Sequence, residues 1–366
     1  MMDAEEIQSQ ITTLVSEHPD PETGRPLGSM GQLRELRVEG ASVSVVVGIT
    51  THCQPIADEF AQTITDKIVA AIPGLQVTVG TPVHERPPVR LGQVGLRAKS
   101  VLLVGSGKGG VGKSTVAAGI ALTLRHLGAK VGLMDADVYG PSVPHLLGLE
   151  GRPEIGENKK IQPILLSGKT DGDAMPVMSM GFLLEKDQAV IWRGPMLHGS
   201  IQQFLKDTEW GELDYLVIDM PPGTGDVALT LSQSVPITGS VVVCTPQEVA
   251  LLDAVKAISM FQKVKAPIAG MVENMSGFLC PDNGKTYDIF GRGGARAKAL
   301  ELDVPFLGEL PIDITLRTAG DEGRFAEIIE SDARARGPFE KVARALVRNM
   351  VAETAATPPK AALPTL

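Results

Sequence analysis

The chain has 366 residues, 43% of them hydrophobic and 21% charged, with 34 Lys+Arg against 43 Asp+Glu and a formal net charge of −9. That balance belongs to a folded soluble protein and excludes disordered, collagen-like and disulfide-stapled classes, while the length predicts two domains. The acidic excess gives no overall field for nucleic acid or an anionic membrane, so neither is expected as a partner.

In chain order, Ile7, Ile11, Leu14 and Val15 fall at helical spacing and predict a first helix, which Pro19, Pro21, Gly24 and Pro26 bring to an end. Strands are predicted over 33–38 and 43–49. A helix opens at Pro55, where a missing N–H costs little, and carries the stripe Ile56, Phe60, Ile64, Ile68 and Ile72. A strand over 75–79 completes a small α+β domain, residues 1–82. Residues 83–99, with Pro87 and Pro88 and no apolar periodicity, read as a linker.

From residue 100 to 353 apolar strands (101–104, 131–134, 215–219, 241–244, 268–272, 306–310) alternate with helices (114–127, 196–204, 251–261). This is the pattern of an α/β domain with a mostly parallel sheet covered by helices on both faces, and its ligands belong at the carboxyl ends of the strands. Phe339, Val342, Ala343, Leu346, Val347, Met350 and Val351 form a helical stripe expected to pack on the protein's own core. The Ala/Pro/Thr tail, 354–366, is expected to be unordered.

No apolar run approaches the ~20 residues that cross a bilayer, and the acidic start lacks a secretory pattern, so a cytoplasmic location is expected. Cys53, Cys244 and Cys280 are odd in number and widely spaced, which points to thiols or ligands rather than disulfides. Cys244 ends an apolar strand and reads as packing, and the six histidines show no ligand spacing.

The residues with the clearest chemistry are Gly107, Lys108, Gly109, Gly110, Val111, Gly112, Lys113, Ser114 and Thr115, which follow a strand and open a helix. Glycines let the backbone curl so that N–H groups face phosphate, the helix N-terminus adds partial positive charge and Lys113 a full one. That is a phosphate-binding P-loop, with Ser114 placed to hold Mg²⁺. Lys108 is a second lysine in the loop; it either reaches a nucleotide across a dimer or is solvated. Asp135 and Asp137 follow one strand and Asp219 ends another, positions suited to Mg²⁺ or water, though an aspartate at a strand end also caps helices. Gly225 stands where a γ-phosphate sensor would move.

The two-lysine loop, 135–142, 192–196, 219–226 and 272–276 together resemble the Mrp/ApbC iron–sulfur cluster carriers, deviant-Walker ATPases related to ParA, MinD and the nitrogenase iron protein. Asp20-Pro21-Glu22 and Ile49-Thr50-Thr51 resemble the iron–sulfur assembly domain often fused ahead of them. The resemblance implies a homodimer that binds and hydrolyses ATP and carries a [4Fe–4S] cluster to apoproteins. Lys108 and Lys113 would act on phosphate, Asp137 would orient the attacking water and Asp219 would contact Mg²⁺ through water. Asn274 would bind adenine, with Pro311 lining the base. The family's Cys-x-x-Cys is reduced here to Cys280-Pro281-Asp282-Asn283. Cys280 is therefore either a cluster ligand, completed by Asp282 or an external thiol, or a packing cysteine. In the small domain Gln54 replaces the family's cysteine and Cys53 precedes it. The rival class is a nucleotide-switched dimeric interaction protein of ParA/MinD type that carries no cluster.

Overall fold

The computed structural model describes residues 4–138, 140–168, 173–183, 194–223 and 225–356. Tyr139, Trp192, Arg193 and Thr224, each part of a motif above, lie outside the described residues. The chain forms two compact units, one running to Arg86 and including the chain from Val347, the other Pro87–Leu346.

In the first unit α1 (Ala4–Ser16) buries Ile11 and Val15, and α2 (Ala57–Ala71) buries Phe60, Ile64 and Ile68. β1 (Leu33–Glu39) pairs antiparallel with β2 (Ser42–Val47), and β3 (Gln76–Gly80) pairs parallel with β2. Because β2 and β3 are parallel, a crossover must join them, and α2 supplies it. Pro55 does not open α2. It lies in a 3-10 turn, Thr51–Ile56, and Ile56 at φ −115° and ψ 16° delays the α-helix to Ala57.

In the second unit β4 (Arg90–Leu91) pairs antiparallel with β5 (Leu96–Gly105), so the stretch expected as linker is partly sheet. After β5 come α3 (Lys113–His126), β6 (Val131–Asp135), α4 (Val143–Leu147), the small hairpin β7 (Glu154–Ile155) and β8 (Ile161–Gln162), β9 (Ile164–Leu166) and β10 (Met175–Ser179). Then follow α5 (Gly194–Asp207), β11 (Leu213–Asp219), α6 (Gly225–Ser234), β12 (Gly239–Cys244), α7 (Glu248–Lys263) and β13 (Ile268–Leu279). The chain continues with β14 (Thr286–Tyr287), α8 (Gly294–Glu301), β15 (Phe306–Ile312), α9 (Ile314–Asp321), α10 (Phe325–Ser331) and α11 (Ala333–Ala356). The tail expected to be unordered is thus helical as far as Ala356, and its remainder lies outside the described residues.

Among the described residues the main sheet has ten strands, in the order β14-β13-β12-β5-β11-β6-β10-β9 with β15 on β13 and β4 on β5. β10, β6, β11, β5, β12, β13 and β15 pair parallel, and β9, β14 and β4 add antiparallel edges. Every residue of β6, β11 and β12 is buried, which explains their unbroken apolar character between two helical layers. β5 lies between β11 and β12, while the chain leaving it through α3 reaches β6 beyond β11. The connections thus diverge at β5, and the crevice at its carboxyl end is where ligands of open parallel sheets bind. Phe339, Val342, Ala343, Leu346, Val347 and Met350 are all buried, as their spacing predicts.

Candidate nucleotide site

The loop leaving β5 is shaped by its glycines. Gly110 has φ 82° and Gly112, the residue capping α3, has φ 79°, left-handed values that side chains strain to adopt. Gly107 is needed for space: a Cβ there would stand 1.9 Å from the Asp253 carbonyl oxygen on α7. The Ser106 hydroxyl donates to the Lys108 carbonyl at 2.9 Å and braces the turn from within. The loop then hands the chain to the N-terminus of a 14-residue helix, whose free N–H groups and dipole favour an anion.

Lys113 opens that helix and is buried. Its Nζ lies 2.6 Å from Asp219 Oδ1, 3.7 Å from Asp137 Oδ2 and 3.2 Å from Ser114 Oγ. The structure therefore gathers Lys113, Ser114, Asp137 and Asp219, four of the residues singled out by sequence. Burial pushes the Asp219 carboxyl up and the Lys113 ammonium opposes it. Asp219 Oδ2 is buried with no hydrogen-bond partner among the described residues. An orphaned buried oxygen beside a hydroxyl and an ammonium fits a site completed by a hydrated divalent cation.

Asp135 stands opposite Asp219 in the β6–β11 register, and it is employed differently. Its oxygens accept from the Asp137 N–H (3.0 Å), the Val143 N–H at the start of α4 (3.2 Å) and the Ser179 hydroxyl at the end of β10 (3.0 Å). The helix-capping reading of Asp135 is thus the one its contacts match. Burial and the neighbouring Asp219 push its carboxyl up to about 8.

Beside the loop a cavity of about 380 Å³ is lined by Gly112, Thr115, Asn274, Leu310, Pro311 and Phe339 among others. Asn274 and Pro311 therefore border the same space as the loop. The Asn274 amide donates from Nδ2 to the Val111 carbonyl at 2.8 Å. Asp313, which follows Pro311 in the segment expected to line the base, is also on the cavity wall, and sequence alone did not single out its partner Arg334 (3.7 Å), which comes from a separate element. Lys108 is half-buried, Gly109 and Gly110 are exposed, and Gly225 begins α6.

Cys280 sits at the turn between β13 and β14. Its N–H donates to the Lys285 carbonyl and its carbonyl accepts from Gly284, each at 2.9 Å. Asn283 spends its amide on this turn: Oδ1 accepts from the Lys285 N–H at 2.9 Å and Nδ2 lies 3.1 Å from the Tyr287 hydroxyl. Among the described residues no cluster of three or more His, Cys, Asp or Glu is arranged to hold a metal. Cys244 is buried, and burial with the nearby Glu273 pushes its thiol up to about 12, as suits a packing residue.

In the small unit Cys53 is buried, with Sγ 3.7 Å from His52 Nδ1, so it is not a surface thiol. Asp20 is only 1% exposed and accepts from Gln32 Nε2 (2.9 Å), Thr23 Oγ1 (2.7 Å) and Arg86 Nη1 (2.9 Å). Glu22 accepts from Thr50, which joins the two motif segments of this unit. Buried carboxylates satisfied in this way hold loops together.

A parallel sheet whose first strand runs through a glycine-bent loop into a lysine-headed helix is the architecture of a P-loop NTPase, and the second unit has it. The chain belongs to the NUBPL iron-transfer P-loop NTPase family, which matches residues 97–347. Residues 8–79 match a second family, described as iron–sulfur cluster assembly protein. The chain is 45% identical over 339 residues to the iron–sulfur cluster carrier protein of Deinococcus radiodurans, covering 92% of this chain and 93% of that one. To the iron–sulfur cluster transfer protein NUBPL of Mus musculus it is 48% identical over 228 residues, 62% of this chain and 70% of the relative. Among solved structures it is similar to the nucleotide-binding protein in complex with ADP from Archaeoglobus fulgidus, with a TM-score of 0.55 and 42% identity over 63% of this chain and 89% of the other. The family suggested by the motifs is thereby shown. Among the described residues no helix is long and apolar enough to cross a membrane.

Proposed function

We propose that this chain binds ATP with Mg²⁺, hydrolyses it slowly, dimerises with itself when nucleotide is bound, and delivers iron–sulfur clusters to apoproteins in the cytoplasm. The observation that carries the reading is the buried Lys113–Asp219 contact of 2.6 Å beside the glycine-bent loop, in a chain of the iron-transfer family.

Loop N–H groups and the start of α3 bind the phosphates, and the polyphosphate competes with Asp219 for the Lys113 ammonium. Ser114, and Asp219 through water, would hold Mg²⁺, which would supply positive charge to neutralise the phosphates. Asp137, anchored by the Gly140 N–H at 3.3 Å, orients the attacking water. Lys108 extends to the partner subunit's nucleotide and stabilises charge on the transferring phosphoryl group. Asn274 and Pro311 border the base.

The cluster is cargo. Cys280 from each protomer supplies a thiolate, and Asp282 or an external thiol completes the four ligands of a [4Fe–4S] cluster. A switch of ParA/MinD type that carries no cluster is the second reading. Asn283 favours it, because the amide standing in the second cysteine's place is committed to its own turn. Anaerobic reconstitution with iron and sulfide separates the two. About four irons per dimer, lost in Cys280→Ala, supports the carrier; no retained iron in either protein leaves the switch.

A further inference from the structure

We infer that Asn274 is a positioning residue for the phosphate loop, acting through the Val111 carbonyl as well as bordering the base cavity. The inference rests on the nucleotide-binding reading above. The peptide that Val111 shares with Gly112 turns over by rotation at Val111 and at Gly112, and Gly112, at φ 79°, is the flanking residue best able to allow it. In a planar trans peptide the carbonyl and the N–H point in opposite directions. The bond of 2.8 Å from Asn274 Nδ2 that fixes the Val111 carbonyl therefore also fixes the Gly112 N–H, one of the donors a phosphate would use.

The approach is close enough to need glycine. A Cβ on Gly112 would stand 2.3 Å from Asn274 Nδ2, so the residue that gives the loop its left-handed turn also makes room for the amide.

Asn274 is itself held in place. The preceding residue, Glu273, is fully buried and accepts from the Gly293 N–H (2.7 Å), the Ala295 N–H (2.7 Å) and the Ser276 hydroxyl (2.6 Å), which ties this part of β13 to the start of α8. Asn274 pairs with Leu310 on β15, and the register then slips before Phe278. Within that slip Met275 holds φ 59°, a conformation that long side chains seldom adopt and that persists only where the surroundings over-determine it. A clamped backbone behind the amide makes the amide a fixed point against which the loop is set.

The test uses two probes on the full chain at millimolar Mg²⁺: ATP, and inorganic tripolyphosphate, which has no base. Asn274→Ala and the nearly isosteric Asn274→Leu both remove the donor without adding charge. We expect both variants to bind tripolyphosphate roughly tenfold more weakly than the native chain, the loss of one hydrogen bond to a charged-ligand site, with an unfolding temperature close to native. Weakened ATP binding with tripolyphosphate affinity unchanged in either folded variant would show a base contact alone and overturn the inference. If the Ala variant does not fold, the Leu variant decides. A native chain that binds neither probe removes the nucleotide reading itself, and the positioning role with it.

Discussion

The ammonium of Lys113 lies 2.6 Å from Asp219 Oδ1 at the end of β11, both side chains buried, with Asp137 Oδ2 3.7 Å away. A single cation thus faces two carboxylates, and at Asp219 it opposes the burial that pushes the carboxyl up. Lys113→Met should destabilise the nucleotide-free protein by about 3 kcal/mol, because it leaves the buried Asp219 carboxyl without its cation. Chemical denaturation would measure it, and the loss should be smaller at pH 5 than at pH 8, because a proton can neutralise the Asp219 carboxyl, already pushed up by burial, more cheaply at the lower pH. Equal losses at both values would mean that Lys113 contributes packing rather than charge.

Lys108 is half-buried in the same loop, five residues before Lys113. Lys108→Ala should keep ATP affinity within a few-fold while turnover falls about 100-fold or more, the size of a lost group that acts on transition-state charge. Steady-state phosphate release beside equilibrium ATP binding checks this. Turnover at the native level would eliminate a catalytic role across the dimer.

The loop's glycines differ in what they require. At Gly107 a Cβ would meet the Asp253 backbone at 1.9 Å, whereas nothing lies within 4 Å of one at Gly109. Gly107→Ala should cost about 1–3 kcal/mol through overpacking against α7, and Gly109→Ala should leave thermal stability nearly unchanged. Matched unfolding temperatures for the two variants would contradict the close packing of α7 on the loop.

Asp135 gives a pH signature. Its carboxyl is pushed up to about 8 from the ordinary 3.8, by burial first and Asp219 second. The folded chain therefore keeps this proton over a range in which the unfolded chain has lost it. The associated stability is complete below about pH 4 and is lost as pH rises through about 8, with a slope of at most about 1.4 kcal/mol per pH unit. In nucleotide-free protein Asp135→Asn should flatten the fall in stability between pH 5 and 8. An unaltered slope in that variant would place the titration elsewhere.

Much of the site is legible in the sequence because its parts are local. The glycine-bent loop lies between an apolar strand and an amphipathic helix, and Asp219 caps an apolar run, so each carries its own context. β10 is harder to read because Pro176 interrupts it, and α6 begins at Gly225, two residues after the Pro221-Pro222-Gly223 run. The start of β5 was hidden for a different reason. Its first residues alternate buried Leu96 and Ala98 with exposed Arg97 and the ion-paired Lys99, 3.1 Å from Asp214, and that polar half resembles a connector. The Asn274–Val111 bond joins residues 163 positions apart. Such pairing is decided by how β13 lies beside the loop in three dimensions, and no periodicity along the chain reports it.

The central claim is that the loop around Lys113 grips the phosphates of ATP. Titration calorimetry at millimolar Mg²⁺ tests it most directly: the native chain should give saturable heat with one ATP per chain, and Lys113→Met should give none. A native chain with no heat of binding, or a Lys113→Met variant with undiminished affinity, would contradict the account.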